Sequence, residues 1–147
     1  RDFSLDRMYD IVVCLFSSIG YVRTLDNVRR TLVRCREHLT DGGLLFVEPW
    51  FRPDEWIPGR VHVLNAERDG IKVCRMDHSA VRGGVSLNPC LYLVGTEDGL
   101  QHYQETHEMG LFTMQEMQEA FAAAGLEVDY DPIGLMGRGL YIGTRKE

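Results

Sequence analysis

Tyr9-Asp10-Ile11-Val12-Val13-Cys14-Leu15-Phe16-Ser17-Ser18-Ile19-Gly20-Tyr21 is the stretch on which the fold turns. Ile11 to Phe16 is an unbroken apolar run rich in β-branched side chains. Such a run reads as a strand covered on both faces, as in a parallel sheet. Ser17 to Tyr21 breaks it with small residues, as a loop at a strand's carboxyl end does. Beyond it the period changes. Leu25, Val28, Leu32, Cys35 and Leu39 recur at helical spacing with arginines between them, which predicts a helix over roughly 24–39. Thr24 or Asp26 can cap its start. Asp41-Gly42-Gly43 is expected to end it, because glycine accepts the left-handed conformation. Leu44 to Glu48 then reads as a second buried strand. Strand, helix, strand is a parallel unit of an α/β sheet.

Pro49, Pro53 and Pro58 make the next segment irregular. From Arg60 to Phe112 the pattern is short and β-like, with turns at Asp69-Gly70, Gly83-Gly84 and Asp98-Gly99. Strands over roughly 61–67, 71–79, 85–94 and 102–112 would make an antiparallel meander, with Pro89 at an edge or bulge. Helical spacing returns with Met114, Met117, Phe121 and Ala124, behind a capping box of Thr113 and Glu116. Those Met and Phe side chains read as core. Leu126, Val128 and Tyr130 alternate as a strand, and Leu140 to Thr144 form the last one. The expected domains are an α/β core over 1–59, an antiparallel β cap over 60–112, and the rest of the core over 113–147.

A chain of 147 residues, 44% hydrophobic and 26% charged, is neither disordered nor fibrous. Its net charge of −6 argues against nucleic acid and anionic membranes, which need a basic footprint. No apolar run approaches the ~20 residues of a membrane span. Cys14, Cys35, Cys74 and Cys90 form no C-x-x-C, and read as free thiols of a cytoplasmic protein. The histidines show no zinc-ligand spacing, so no metal is expected. The expected partner is a small molecule, and homo-oligomer formation stays open.

Three stretches resemble the second half of the class I S-adenosylmethionine-dependent methyltransferase sheet. Tyr9 to Cys14 resembles its fourth strand. His38-Leu39-Thr40-Asp41-Gly42-Gly43 resembles the approach to its fifth, and Phe121 to Leu126 the helix before its sixth. The resemblance implies a Rossmann-like sheet, present here as strands 4 to 7, with the β cap as an insertion. Phe16-Ser17-Ser18-Ile19-Gly20, Val47-Glu48-Pro49-Trp50 and Gly137-Arg138-Gly139-Leu140 further resemble bacterial N-methyltransferases of nucleotide-linked amino sugars, enzymes of antibiotic biosynthesis. In those the residue after Ile-Gly is often His; here it is Tyr21. The glycine-rich cofactor turn and acidic anchor of the family have no counterpart in these residues. Arg1-Asp2-Phe3 resembles the tail of the segment that meets adenine. The 147 residues alone are therefore expected to be inactive, with Ile11 to Phe16 as an open apolar edge.

The resemblance implies S-adenosylmethionine as cofactor, with the residues at strand ends around it. Leu15, Phe16 and Ser17 would contact the cofactor, or serve as plain core. Tyr21 could orient the acceptor, or be a half-buried loop aromatic. Glu48 could hold or deprotonate an ammonium, or pair with an arginine. Trp50 could stack on a base or sugar or cover a cation, or plug the sheet as Trp56 does. Arg138, between glycines, could grip phosphate, or be a solvated turn residue. Arg29, Arg30, Arg34, Arg36 and Glu37 read as a solvated helix face. The expected function is N-methylation of a small amine-bearing acceptor. A non-catalytic binding remnant, an O-methyltransferase and a small-amine methyltransferase are the alternatives.

Overall fold

The computed structural model describes residues 2–146; Arg1, part of the adenine-segment resemblance, lies outside them. In chain order the elements are β1 (Tyr9–Cys14), a 3-10 turn (Ser18–Val22), α1 (Leu25–Glu37), β2 (Leu39–Val47), β3 (Val61–Arg68), β4 (Ile71–His78), β5 (Ala80–Arg82), β6 (Val85–Thr96), β7 (Gly99–Gly110), α2 (Met114–Ala123), β8 (Leu126–Asp131) and β9 (Leu140–Arg145). They fall into two compact units, Arg1–Glu55 with Met109–Glu147, and Trp56–Glu108.

The first unit holds a four-stranded sheet in the order β1-β2-β9-β8. β1 and β2 are parallel, whereas β9 runs antiparallel to both β2 and β8. The ends of β1, β2 and β8 and the start of β9 therefore share one edge, the carboxyl edge of the parallel pair. Thr24 caps α1 by accepting from the Asn27 amide at 3.3 Å, and the Thr113–Glu116 box caps α2. The helices supply Val28, Leu32, Cys35, Met117, Ala120 and Phe121 to a core completed by Leu39, Leu45, Val47, Leu126 and Tyr141 of the strands. Phe121 stacks on Tyr141 with ring centroids 5.7 Å apart. It lies over Gly143, where a Cβ would come within 2.8 Å of its ring. Burial keeps the Cys35 thiol protonated, its pKa pushed up to about 11.

Several expectations need correction. β1 stops at Cys14, so Leu15 and Phe16 leave the sheet rather than end the strand. It also shows the open apolar edge expected of these residues, rather than the doubly covered strand that the apolar run alone predicts. Among the described residues it pairs with β2 alone, and while Val12 and Cys14 pack on the core, Ile11 and Val13 are 56% and 57% exposed. The glycine pair does not end α1. That helix stops at Glu37, with His38 as cap, its ring Nδ1 2.7 Å from the Arg34 carbonyl. Gly42 and Gly43 instead serve an irregularity at the start of β2, where the pairing jumps from Tyr9↔Leu39 to Ile11↔Leu44. Gly42 takes φ 75° there, and a Cβ on Gly43 would sit 2.8 Å from the Thr40 carbonyl oxygen.

The second unit is the antiparallel meander, a five-stranded sheet in the order β3-β4-β6-β5 with β7 also on β6. Asp69 and Gly70 both take positive φ, as a tight primed hairpin turn requires. The short β5 was not anticipated; it fills the flank of β6 beyond the end of β4. Pro89 falls where those two pairings meet, between Leu87 on β5's ladder and Cys90 on β4's, so its missing N–H costs no rung on that side.

Candidate active site at the carboxyl edge

Three chain segments meet at the carboxyl edge: the exit of β1, the exit of β2, and the loop entering β9. Phe16 and Ser17 both adopt left-handed backbone, with φ of 52° and 57°. Non-glycine residues visit that region at a cost, and persist there only when neighbours over-determine them. Here the neighbours come from β2. The Phe16 amide donates to Glu48 Oε2 at 2.6 Å, and the Ser17 hydroxyl donates to the Pro49 carbonyl at 2.7 Å. The Glu48 amide in turn donates to the Cys14 carbonyl at 2.9 Å. The result displays the Phe16 ring, 78% exposed, above the strand ends.

Arg138 closes the group from the third segment. One guanidinium N–H donates to the Ser17 hydroxyl oxygen at 3.1 Å. Its Cζ lies 5.0 Å from the Trp50 ring centroid and 4.8 Å from that of Phe51. The two rings are themselves edge-to-face at 4.8 Å. Arg138 is thus no solvated turn residue. Its flanking glycines are needed for different reasons. Gly137 takes φ 73° in open space, whereas Gly139 lies under Tyr130, whose hydroxyl would be 2.1 Å from an added Cβ.

Glu48 is the most informative side chain. It is 1% exposed, and although Oε2 is used, Oε1 has no hydrogen-bond partner. A buried carboxylate oxygen without a donor is expensive unless a ligand supplies one. Among the described residues no arginine pairs with it. Tyr21 lies on the 3-10 turn, half exposed, next to Gly20. Gly20 is packed so tightly that a Cβ would meet Met109 at 3.0 Å and Trp50 Cβ at 3.2 Å.

The structure therefore brings Phe16, Ser17, Glu48, Trp50 and Arg138 into one contact network, with Leu15 and Tyr21 on the same connecting segment. The Pro49 carbonyl and Phe51, as the nearer aromatic to Arg138, belong to it as well. Contact geometry is what separates Phe51 from Trp56, whose indole donates to the Ala80 carbonyl at 2.9 Å. Among the described residues no three potential metal-ligating side chains cluster, and no helix is long and apolar enough to cross a membrane.

A parallel strand pair extended by an antiparallel hairpin whose return strand inserts next to the pair, with a polar and aromatic network at the carboxyl edge, defines the class. This is the Rossmann-like sheet of the S-adenosylmethionine-dependent methyltransferases, seen here as strands 4 to 7. The chain is 40% identical over 144 residues to a dTDP-3-amino-3,6-dideoxy-alpha-D-glucopyranose N,N-dimethyltransferase of Streptomyces fradiae, covering 97% of this chain and 56% of that protein. It is 38% identical over 145 residues to a dTDP-3-amino-3,4,6-trideoxy-alpha-D-glucopyranose N,N-dimethyltransferase of Streptomyces venezuelae, covering 98% and 61%. Among solved structures it matches the S-adenosylmethionine-bound CalS10, an amino pentose methyltransferase from Micromonospora echinaspora involved in calicheamicin biosynthesis. That match has a TM-score of 0.89 and 34% identity over 98% of this chain and 61% of that one. No family profile matches the sequence. The resemblance to amino-sugar N-methyltransferases read from the motifs thus extends over nearly the whole chain, which spans 56% to 61% of these relatives' length.

Proposed function

We propose that the protein carrying this chain is an S-adenosylmethionine-dependent N-methyltransferase for the amine of a nucleotide-linked amino sugar. The identity to two dimethyltransferases of that substrate class supports the reaction. The buried, unpartnered Glu48 Oε1 supports the site.

The residues at the edge fit such ligands. An ammonium group is the donor that Glu48 Oε1 lacks, and the strand-end turn of Leu15, Phe16 and Ser17 offers backbone and an exposed ring to the cofactor. When bound, S-adenosylmethionine supplies an electrophilic methyl group on a sulfonium. In this reading Glu48 Oε1 accepts an N–H of the substrate ammonium, fixes the nitrogen, and takes the proton that must leave before the lone pair can react. Tyr21 orients the acceptor through its hydroxyl. Arg138 spends one donor on Ser17 and has others for phosphate oxygens. Trp50, held by Arg138 from one side, stacks against base or sugar. The 60–112 segment is an insertion in the methyltransferase core.

The test is methyl transfer to a dTDP-amino sugar by the protein carrying this chain, unmodified and as Glu48→Gln. Glutamine keeps an acceptor for the Phe16 amide but cannot take a proton. Loss of kcat by about 100-fold or more with the fold intact supports the assignment. Undiminished turnover removes Glu48 from the chemistry, and no transfer by the unmodified protein favours a binding module instead.

A further inference from the structure

We propose that Ser17 is a positioning residue: its hydroxyl aims the Arg138 guanidinium at the diphosphate of the acceptor, while its side chain touches no ligand. The inference rests on the reading of Arg138 as the phosphate-binding arm. Ser17 is 0% exposed, so its side chain offers nothing to a bound molecule. Both of its hydrogen-bonding roles are taken inside the protein. The hydroxyl proton goes to the Pro49 carbonyl at 2.7 Å, and a lone pair accepts from Arg138 Nη1 at 3.1 Å. With its one proton committed, the hydroxyl meets Arg138 as an acceptor, which is what a guanidinium with donors alone requires.

The loop around Arg138 shows why such a brace is needed. Gly137 and Gly139 both take left-handed backbone, with φ of 73° and 84°, and glycines restrain the chain between them weakly. The Trp50 and Phe51 rings attract the charge, with Cζ 5.0 and 4.8 Å from their centroids. Attraction to a ring face fixes where a cation sits but not how it is rotated. A directional hydrogen bond fixes the rotation. With Nη1 turned to Ser17, the edge formed by Nε and Nη2 is not used by that bond and can meet two phosphate oxygens side by side. Ser17 is itself firmly placed. It holds φ 57°, its carbonyl accepts from the Gly20 amide at 2.9 Å, and the preceding Phe16 amide is on Glu48. Glu48 and Pro49 are consecutive, so the carboxylate assigned to the amine and the carbonyl that holds Ser17 share one stretch of backbone. Ser17 thereby registers the phosphate arm against the amine site. A serine that merely filled space would have no such link to Arg138.

The experiment is a double-mutant cycle on the protein carrying this chain, with Ser17→Gly, Arg138→Ala and both together. Calorimetric affinity for dTDP is measured beside KM and kcat for a dTDP-amino sugar. Glycine deletes the hydroxyl and accepts the left-handed turn without strain. The expected result for Ser17→Gly is a loss of about fivefold or more in dTDP affinity and in KM, with a smaller loss in kcat. The double variant should match Arg138→Ala within about twofold, because the hydroxyl acts only through the arginine. Should Ser17→Gly fail to fold by circular dichroism, Ser17→Ala takes its place in the cycle. Unchanged dTDP affinity and KM in the serine variant overturn the proposal. So do losses that add in the double variant, which is what a serine of purely structural role would give. An Arg138→Ala protein that keeps its dTDP affinity and KM removes the phosphate role of Arg138, and the proposal falls with that reading rather than by itself.

Discussion

The Phe16 amide is held by the Glu48 carboxylate at 2.6 Å, so the exit of β1 depends on the last residue before Pro49 in the exit of β2. That bond joins a left-handed backbone to a buried charge, and each explains the other. Glu48 has one oxygen that orders the turn and one left over for a ligand.

Replacing Glu48 by alanine should therefore loosen the exit of β1. The Phe16 amide loses its acceptor, which costs about 1–3 kcal/mol in unfolding free energy. Glu48→Gln should recover most of that stability. Urea denaturation of the three proteins checks this. Equal loss in both variants would mean that the charge, not the acceptor, orders the turn.

Arg138→Lys is expected to behave like Arg138→Ala. A lysine ammonium cannot reach the Ser17 hydroxyl while lying flat on Trp50 and Phe51, because that geometry uses the planar guanidinium. KM for the nucleotide sugar should rise by about tenfold in both, corresponding to about 1.4 kcal/mol. The emission of Trp50 should shift in the absence of any ligand. Lysine retaining wild-type KM and emission would count against the stacked role.

Gly20→Ala should destabilise the first unit by about 1–3 kcal/mol, since the new methyl overlaps Met109 and Trp50. The same methyl presses on the Cβ of Trp50, a residue of the candidate site, so loss of activity should exceed loss of stability. Thermal melts alongside steady-state kinetics separate the two.

Cys35 makes stability depend on pH at the alkaline end. Its thiol is raised to about 11 in the folded protein from an ordinary value of 9, because burial disfavours the thiolate. Between those values the folded state holds a proton that the unfolded state has released. The contribution is complete below pH 9 and disappears as pH rises toward 11, an effect of order 2–3 kcal/mol. Burial raises the Cys14 thiol and the Tyr141 hydroxyl as well, so Cys35 accounts for only part of the weakening. Cys35→Ala should flatten the difference in unfolding free energy between pH 8 and pH 10.5. An unchanged slope would place the titration elsewhere.

Most of the architecture was legible because it rests on local periodicity. Leu126–Asp131 alternates every second residue, α1 and α2 carry apolar stripes at helical spacing, and Asp69-Gly70 can hardly be anything but a hairpin turn. Motif spacing also identified Glu48, Trp50 and Arg138 as strand-end residues of one sheet edge.

Pattern alone could not say how those residues use their atoms. An apolar run looks the same whether its strand ends at Cys14 or Phe16, because composition does not report where the backbone turns left-handed. Gly42-Gly43 reads as a helix stop, yet the register against Tyr9 and Ile11 makes it a strand irregularity. That Ser17 spends its hydroxyl on Pro49 and Arg138, that Arg138 lies on two rings, and that Glu48 keeps one oxygen unpaired are long-range facts. They join residues up to 121 positions apart. The sequence by itself determined the elements, because propensity and period act over a few residues. Only the tertiary structure decided which donors meet which acceptors, because hydrogen bonds and stacking depend on distances that packing alone sets.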